Sequence, residues 1–531
     1  MLRTSTAWGK NEVDGLRALN VTECSDGCDP CSIVQSVNIS IRLPFTQLGT
    51  MTQHTPSEPH NSANLSAALR LTHSIAGSLA GLREKCVGER KGKVASRLGR
   101  LVKAPLVTAV MFASTSVVFA QTDIYVRGAG RLIPLALPQL CAIDGSTGEA
   151  KAIPETMRRD LDLSGFFEII NPASYIESAG RCGSQESTAY SDWSVLNTEG
   201  LVKGQVTLNG ARARVQLYLH DVQKQTVVLA KEYEGDAAQV SVIAHKFANE
   251  IMKYYTGEAG IFGSQIAFSS RVGRFKEMFV MDMDGSNLRQ LTNERGLALS
   301  PAWDPSGSKL AYTSYRSRVP DLFVLDVATR GVKQITRTVE MEVGAHFMPN
   351  GSQIIVSRTE GAESDIVVLN QDGTLARKLT PPNRAIDVSP VPSPDGSTIA
   401  FVSNRGGGPQ IYTMGADGSG AKRVSFVTSS YCTSPAWSPK GDKIAFVCRA
   451  DGNFQLFVAD ADGSNPVQLT SAGSNEDPEW SPDGRYLVFA TTYWGGGIYS
   501  LAIVKSDGSS LKRITTSRSG DFEPAWSPKV P

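Results

Sequence analysis

Charge of one sign is what this chain most clearly lacks. Its 531 residues carry 53 Lys plus Arg against 52 Asp plus Glu, a formal net charge of +1. That balance supplies no global field for nucleic acid or for an acidic partner, so electrostatic recognition must come from local clusters. Histidine is scarce as well. Of six, only His220, His245 and His346 follow residue 120, and they sit in separate segments. No Gly-x-Ser-x-Gly elbow accompanies them, which excludes the Ser-His-Asp hydrolase that propeller-type repeats sometimes cover as a lid. Calcium loops are missing too. The runs Asp282-Met283-Asp284-Gly285 and Asp460-Ala461-Asp462-Gly463 place Gly fourth, between strands, and read as hairpin turns. Neither a metal nor a cofactor is expected, and no catalytic residue is assigned.

Long hydrophobic runs are also absent. The longest candidate, Ala104 to Ala120, is interrupted by Ser114, Thr115 and Ser116. A basic stretch precedes it (Lys91, Lys93, Arg97, Arg100, Lys103) and small residues end it at Val118-Phe119-Ala120. Basic, apolar and small in that order describe a secretory signal over 91–120, cleaved before Gln121 rather than kept as an anchor. Its depth in the chain places the natural start between 90 and 111, or makes the basic region unusually long. Residues 1–90 are Ser/Thr/Asn-rich, lack sustained periodicity and read as a disordered or non-native extension. They hold Cys24, Cys28 and Cys31 in a spacing similar to the cluster loop of radical S-adenosylmethionine enzymes. Nothing nearby supplies the parallel-strand barrel that chemistry needs, and the spacing is read as accidental.

What the chain has is a repeat. Ser434-Pro435-Ala436-Trp437-Ser438-Pro439-Lys440-Gly441 is followed by Ile444-Ala445-Phe446, and related phrases recur with motif prolines at 305, 349, 394, 439, 482 and 528. Steps of 43 to 46 residues, each with four short strands, are the mark of a propeller array. The first repeat opens directly at Ile266-Ala267-Phe268, and the last stops after Pro524-Ala525-Trp526. Those two halves are expected to complete one blade, closing six blades over 259–531 without an exposed edge. The repeated Trp303, Trp437, Trp480 and Trp526 hold one place per blade and are read as packing residues.

Between signal and propeller, residues 121–258 alternate strand and helix patterns, which predicts a small α/β domain. Strands are expected over 123–126, 132–137, 166–170, 201–206, 213–219 and 226–231. Helices are expected over 151–163, 188–199 and 240–255, the last with Val240, Ile243, Phe247, Ile251 and Tyr255 on one face.

The repeats differ in the loops leading into each first strand. There the chain carries Asn293, Glu294, Glu342, Arg384, Asp387, Asn475, Glu476, Asp521 and Glu523. These loops share one face, and their acids are expected to make an exposed funnel at the channel mouth, suited to a protein segment or cation. The four cysteines beyond residue 120 enter an oxidising compartment if the signal acts. Cys432 and Cys448 lie equidistant from Lys440 in a predicted hairpin, so they should face each other and bond. Cys141 and Cys182 are a second possible pair with no register linking them.

The signal, the small domain with Met157-Arg158-Arg159-Asp160-Leu161-Asp162-Leu163-Ser164-Gly165-Phe166-Phe167, the Thr256-Gly257-Glu258 junction and the Pro-Ala-Trp-Ser-Pro repeats together resemble the TolB family, over 121–531. Residues 1–90 have no family counterpart, and Pro392 stands where a repeat Trp is expected. The resemblance implies an α/β domain followed by an all-β six-bladed propeller. It implies a non-enzymatic periplasmic adaptor of the Tol–Pal system, peripheral to the membrane through its partners only, serving outer-membrane integrity and invagination at division. By the same resemblance, Gln121, Thr122, Asp123, Ile124, Tyr125, Val126 and Arg127 would bind a TolA-like inner-membrane protein. The propeller loops would bind a peptidoglycan-associated lipoprotein (Pal-like). A periplasmic propeller receptor for a peptide or sugar ligand is the alternative.

Overall fold

The computed structural model describes residues 131–177, 182–183, 185–317, 319–381 and 385–528. The expectations placed on residues 1–130, including the signal, the cysteine trio and segment 121–127, lie outside the described residues, as does Arg384.

The first described unit is the α/β domain. Its elements run β1 (Ile133–Ala136), β2 (Cys141–Ile143), α1 (Thr147–Ser164), β3 (Phe167–Ile169), α2 (Tyr190–Ser194), β4 (Gly200–Asn209), β5 (Arg212–Asp221), β6 (Thr226–Asp236) and α3 (Val240–Thr256). One sheet in the order β3-β1-β4-β5-β6, with β2 also on β4, joins parallel pairs on one side to an antiparallel meander on the other. Helix α1 forms because Ile153, Met157 and Leu161 recur every fourth residue, and all three are fully buried. It stops at Gly165 in the left-handed conformation, φ 64°, whose N–H bonds the Asp162 carbonyl. Glycine is required there twice over, since an added Cβ would lie 2.2 Å from Ser510 Oγ of the propeller. Helix α3 buries Ile243, Phe247 and Ile251 and ends at Gly257 in the same way. Two expectations are corrected. The helix over 188–199 is only the short α2, because Asn197 turns the chain at positive φ and Gly200 already pairs in the sheet. A strand, β2, lies where none was foreseen, since three residues are too few to show alternation.

Six four-stranded antiparallel sheets follow. Blades 2 to 6 begin at Ala298–Trp303, Met341–Phe347, Asp387–Pro392, Cys432–Trp437 and Asn475–Trp480. Blade 1 takes its innermost strand, Asp521–Trp526, from the far end of the ring, paired with Gln265–Val272. The repeat tryptophans join neighbours. Trp303, Trp437 and Trp480 donate their indole N–H to the carbonyls of Ala525, Val391 and Ala436 on the adjacent inner strands, at 3.0, 3.2 and 3.1 Å. At the closing blade Trp526 donates to Ser264 Oγ at 2.8 Å. Phe347 and Pro392 hold this place in blades 3 and 4, where the side chain has no such donor.

Every innermost strand carries the same irregularity. Register shifts fall between Leu299 and Ala302, Val343 and His346, Val388 and Val391, Thr433 and Ala436, Glu476 and Glu479, and Phe522 and Ala525. In each, two residues oppose one, which is a β-bulge. The first bulge residue has positive φ in all six blades: Ser300, Gly344, Ser389, Ser434, Asp477 and Glu523, from 49° to 65°. Five of the six are not glycine, so five blades accept a conformation that costs an ordinary L-residue free energy.

Two disulfides cross-link the described residues, Cys141–Cys182 and Cys432–Cys448, with Cα separations of 5.3 and 4.1 Å. The α/β domain touches the ring at the tryptophan ends of blades 1 and 6. Tyr486 Oη donates to the Ser164 carbonyl at 3.0 Å, Lys505 Nζ to the Gly165 carbonyl at 2.8 Å, and Lys512 pairs with Asp162 at 2.8 Å.

Candidate functional site

Antiparallel strands alternate direction, so two sets of connections emerge on one face of the ring. They are the loops before each innermost strand and the turns between second and third strands. The α/β domain contacts the other ends of the strands, leaving this loop-bearing face to be read by itself.

The predicted acidic funnel is not built as expected. Glu342 and Asp387 are fully buried, and Asn475 and Asp521 nearly so. Arg358 Nε donates to Glu342 at 3.0 Å, with Thr338 and Thr336 hydroxyls adding bonds of 2.9 and 3.2 Å. Burial pushes the Glu342 carboxyl up while Thr338 and Arg358 pull it down. Asp387 takes Arg405 on both oxygens at 3.0 and 3.1 Å. Asn475 donates to Gln455 Oε1 at 2.9 Å and accepts from Thr491 at 2.7 Å, while Asp521 accepts from Ser270 at 2.7 Å. These side chains fix the start of each inner strand rather than facing solvent. The physical reason is register: all four sit two residues before the bulge, where the strand turns its side chain into the blade.

The remaining positions differ among themselves. Asn293 is exposed. Glu294 is held by Arg316, Tyr312 and Ser314, and Glu476 by Tyr499. Glu523 accepts from the Ser300 N–H at 2.7 Å, with Lys276 Nζ at 3.8 Å.

The bulge residues meet one another around the axis. Besides the Glu523–Ser300 bond, Ser434 Oγ donates to Asp477 at 2.9 Å. Burial, then the neighbouring Glu523 carboxylate, push Asp477 up to about 7. Two residues further along, His346 and Glu479 line a cavity of about 350 Å³ with Trp303, Trp437 and Trp526. Burial holds His346 down to about 4 and pushes Glu479 up to about 7. The three histidines lie in different surroundings: His346 in this cavity, His220 against Tyr190, and His245 against Asp160.

Sequence reasoning missed the apolar character of the loop-bearing face. Tyr315, Met341, Ile386, Phe426, Tyr431, Tyr493 and Trp494 are all exposed there, in the connections of blades 2 to 6. The available signal was large apolar residues within turn segments, hidden by a search for charge. Exposed apolar side chains distributed over the loops of one face make that face a candidate surface for protein contact.

A six-bladed ring with a small α/β domain at one end of its strands and loops carrying exposed apolar residues at the other defines a two-domain propeller protein. Residues 252–530 match the TolB beta propeller domain and residues 124–228 the TolB amino-terminal domain. The chain belongs to the TolB family. It is similar to the Tol-Pal system protein TolB of Syntrophotalea carbinolica, 35% identical over 205 residues, covering 38% of this chain and 47% of that relative. Its similarity to the protein of that name from Anaeromyxobacter dehalogenans is 37% over 260 residues, covering 49% and 59%. The chain thus spans about half the length of the curated relatives it matches. The crystal structure of TolB from Acinetobacter baumannii superposes with a TM-score of 0.65 at 25% identity, over 75% of this chain and 98% of that one.

Proposed function

We propose that this chain is a non-enzymatic periplasmic adaptor of the Tol–Pal system. Its loop-bearing face docks a Pal-like lipoprotein, and residues 121–127 bind a TolA-like inner-membrane protein by adding a strand to a partner edge. Through these two contacts it serves outer-membrane integrity and invagination at division while touching membranes only through partners. Among the described residues no helix is long and apolar enough to cross a membrane. The observation that carries the reading is the exposure of Tyr315, Met341, Phe426 and Tyr431 along the loops of the face opposite the α/β domain. The relatives' shared name, Tol-Pal system protein TolB, supports it.

The described polar residues assigned to the docking face by sequence divide accordingly. Asn293, Glu294, Glu476 and Glu523 remain candidates for the face, whereas Glu342, Asp387, Asn475 and Asp521 support it from within. A binding assay with a purified Pal-like lipoprotein tests the reading on the full chain. The double variant Phe426→Ser/Tyr431→Ser is expected to lose at least 10-fold in affinity with an unchanged melting temperature. Removal of residues 121–127 is expected to abolish TolA-like binding and spare Pal-like binding. Unchanged affinity in the double variant would move the face elsewhere, and equal loss of both partners on the deletion would merge the two sites.

A further inference from the structure

The joint between the α/β domain and blade 1 buries a group of side chains that the docking function does not use. His245, on α3, is 3% exposed, and Asp160, on α1, is fully buried. His245 Nδ1 and Asp160 Oδ2 are 2.7 Å apart. The ring's other nitrogen, Nε2, has no hydrogen-bond partner, and it lies 3.7 Å from Asp282 Oδ2. Asp284, 8% exposed, completes the group: ligand atoms of His245, Asp282 and Asp284 all fall within 4.8 Å of one another. The remaining neighbours are Arg159, on Asp284 Oδ2 at 2.9 Å, Asn287, on Asp282 Oδ2 at 2.6 Å, and Ser286, on Asp284 Oδ1. Gln265 donates to Asp282 Oδ1 at 3.4 Å.

Blade 5 repeats the same turn and shows what is different here. Asp460 corresponds to Asp282 and is bonded by Asn465 at 2.7 Å, as Asp282 is by Asn287. Across the strand, Lys443 neutralises Asp460 at 2.7 Å. In blade 1 the residue paired with Asp282 is Gln265, so that lysine is missing. Three carboxylates, Asp160, Asp282 and Asp284, then share Arg159 and the imidazole of His245. The turn read from sequence as a plain hairpin is that hairpin, but the fold brings a histidine from another domain to it.

We propose that His245, Asp282 and Asp284 bind a divalent transition-metal ion of the zinc class, bridging the α/β domain to blade 1. The arrangement is that of a carboxylate–histidine–metal relay. Asp160 accepts a hydrogen bond from the Nδ1 N–H, fixes the tautomer and leaves Nε2 as the atom facing the two carboxylates. One imidazole with two carboxylates suits zinc, cobalt or manganese, whereas calcium and magnesium prefer oxygen ligands alone. Zinc holds such ligands at about 2.0–2.2 Å, so side-chain rotation would draw the three together. Asp160 and Arg159 act as positioning residues and do not bind the ion.

The test is a zinc titration of the chelator-treated full chain, its free thiols alkylated so that Cys24, Cys28, Cys31 and Cys86 do not compete. One equivalent is expected by calorimetry, and cobalt in its place should give visible d–d absorption without a thiolate charge-transfer band. His245→Gln and Asp284→Asn should each weaken zinc binding at least 100-fold, and Asp160→Asn about 10- to 100-fold. His346→Gln should leave it unchanged. Failure of the unsubstituted chain to bind one equivalent overturns the site, as does undiminished binding in His245→Gln. Should His245→Gln not fold, Asp284→Asn, which keeps the imidazole–Asp160 pair, decides in its place.

Discussion

Blades 3 and 5 present the same cross-strand slot filled by opposite chemistry. In blade 3, Glu342 faces Arg358, and in blade 5, Cys432 faces Cys448. Blades 4, 6 and 1 place Asp387 opposite Ser403, Asn475 opposite Thr491 and Asp521 opposite Ser270, and blade 2 has Ala298 opposite Ser314. In blades 1, 3, 5 and 6 the slot tethers the innermost strand to the second strand just before the bulge. An ion pair, a hydrogen bond or a covalent bond serves equally well in geometry, but they fail differently. A buried carboxylate that loses its partner leaves an uncompensated charge, whereas a reduced disulfide leaves two small apolar thiols.

That contrast can be broken most severely at Glu342. Glu342→Ala should cost about 3–5 kcal/mol, because Arg358 is left in a largely buried site. Urea unfolding of the variant checks this, and a loss under 1 kcal/mol would mean the slot is dispensable. Reduction of the blade 5 bond, or Cys432→Ala/Cys448→Ala, should cost about 3 kcal/mol at most, since the bridged residues are only 16 apart. The reduced and double-variant proteins should melt alike.

A smaller effect, dependent on pH, separates the slot from the bulge beside it. Asp477 holds its proton to about pH 7 in the folded ring, against about 3.9 when unfolded. Between those values the folded state binds the extra proton, so this residue's contribution falls as pH rises from about 4 to 7. Asp477→Asn, which tolerates the positive φ, should therefore gain stability over the parent at pH 8 and lose that advantage at pH 4. Melting curves at the two pH values show it. A constant difference would mean that Asp477 titrates normally beside Glu523, Glu476 and Lys276. Least affected should be Asn293→Ala on the exposed loop, within about 0.5 kcal/mol.

Sequence reading was strongest where the period is long and weakest where a single residue of register decides. The propeller, its closure by Trp526 and the α/β domain followed from spacing alone. The Cys432–Cys448 pairing shows how narrow the margin is. Near the turn the strands pair Trp437 with Ile444, symmetric about a point between Lys440 and Gly441. Only the extra residue in the bulge shifts the outer register so that Cys432 meets Cys448. Without that bulge, Cys432 would lie opposite Arg449. Glu342 and Asp387 were placed in exposed loops because no pattern in one repeat shows where the strand begins. Likewise His245 is far in the chain from Asp282 and Asp284, and only the packing of α3 on blade 1 relates them.

Closure of blade 1 has a consequence in time. Gln265 is bonded by Ser527, 262 residues later, while Cys432 and Cys448 close a segment of 16. By loop-closure entropy the longer link costs about 2.5 kcal/mol more to form from an open chain. It becomes affordable only once five blades have already bent the chain into an arc that presents Ile266 to Trp526. As the chain is synthesised, the strand Gln265–Val272 emerges early and then waits for its partner with one edge unpaired. The surface it holds open in that interval is where a chaperone or protease would first meet this protein.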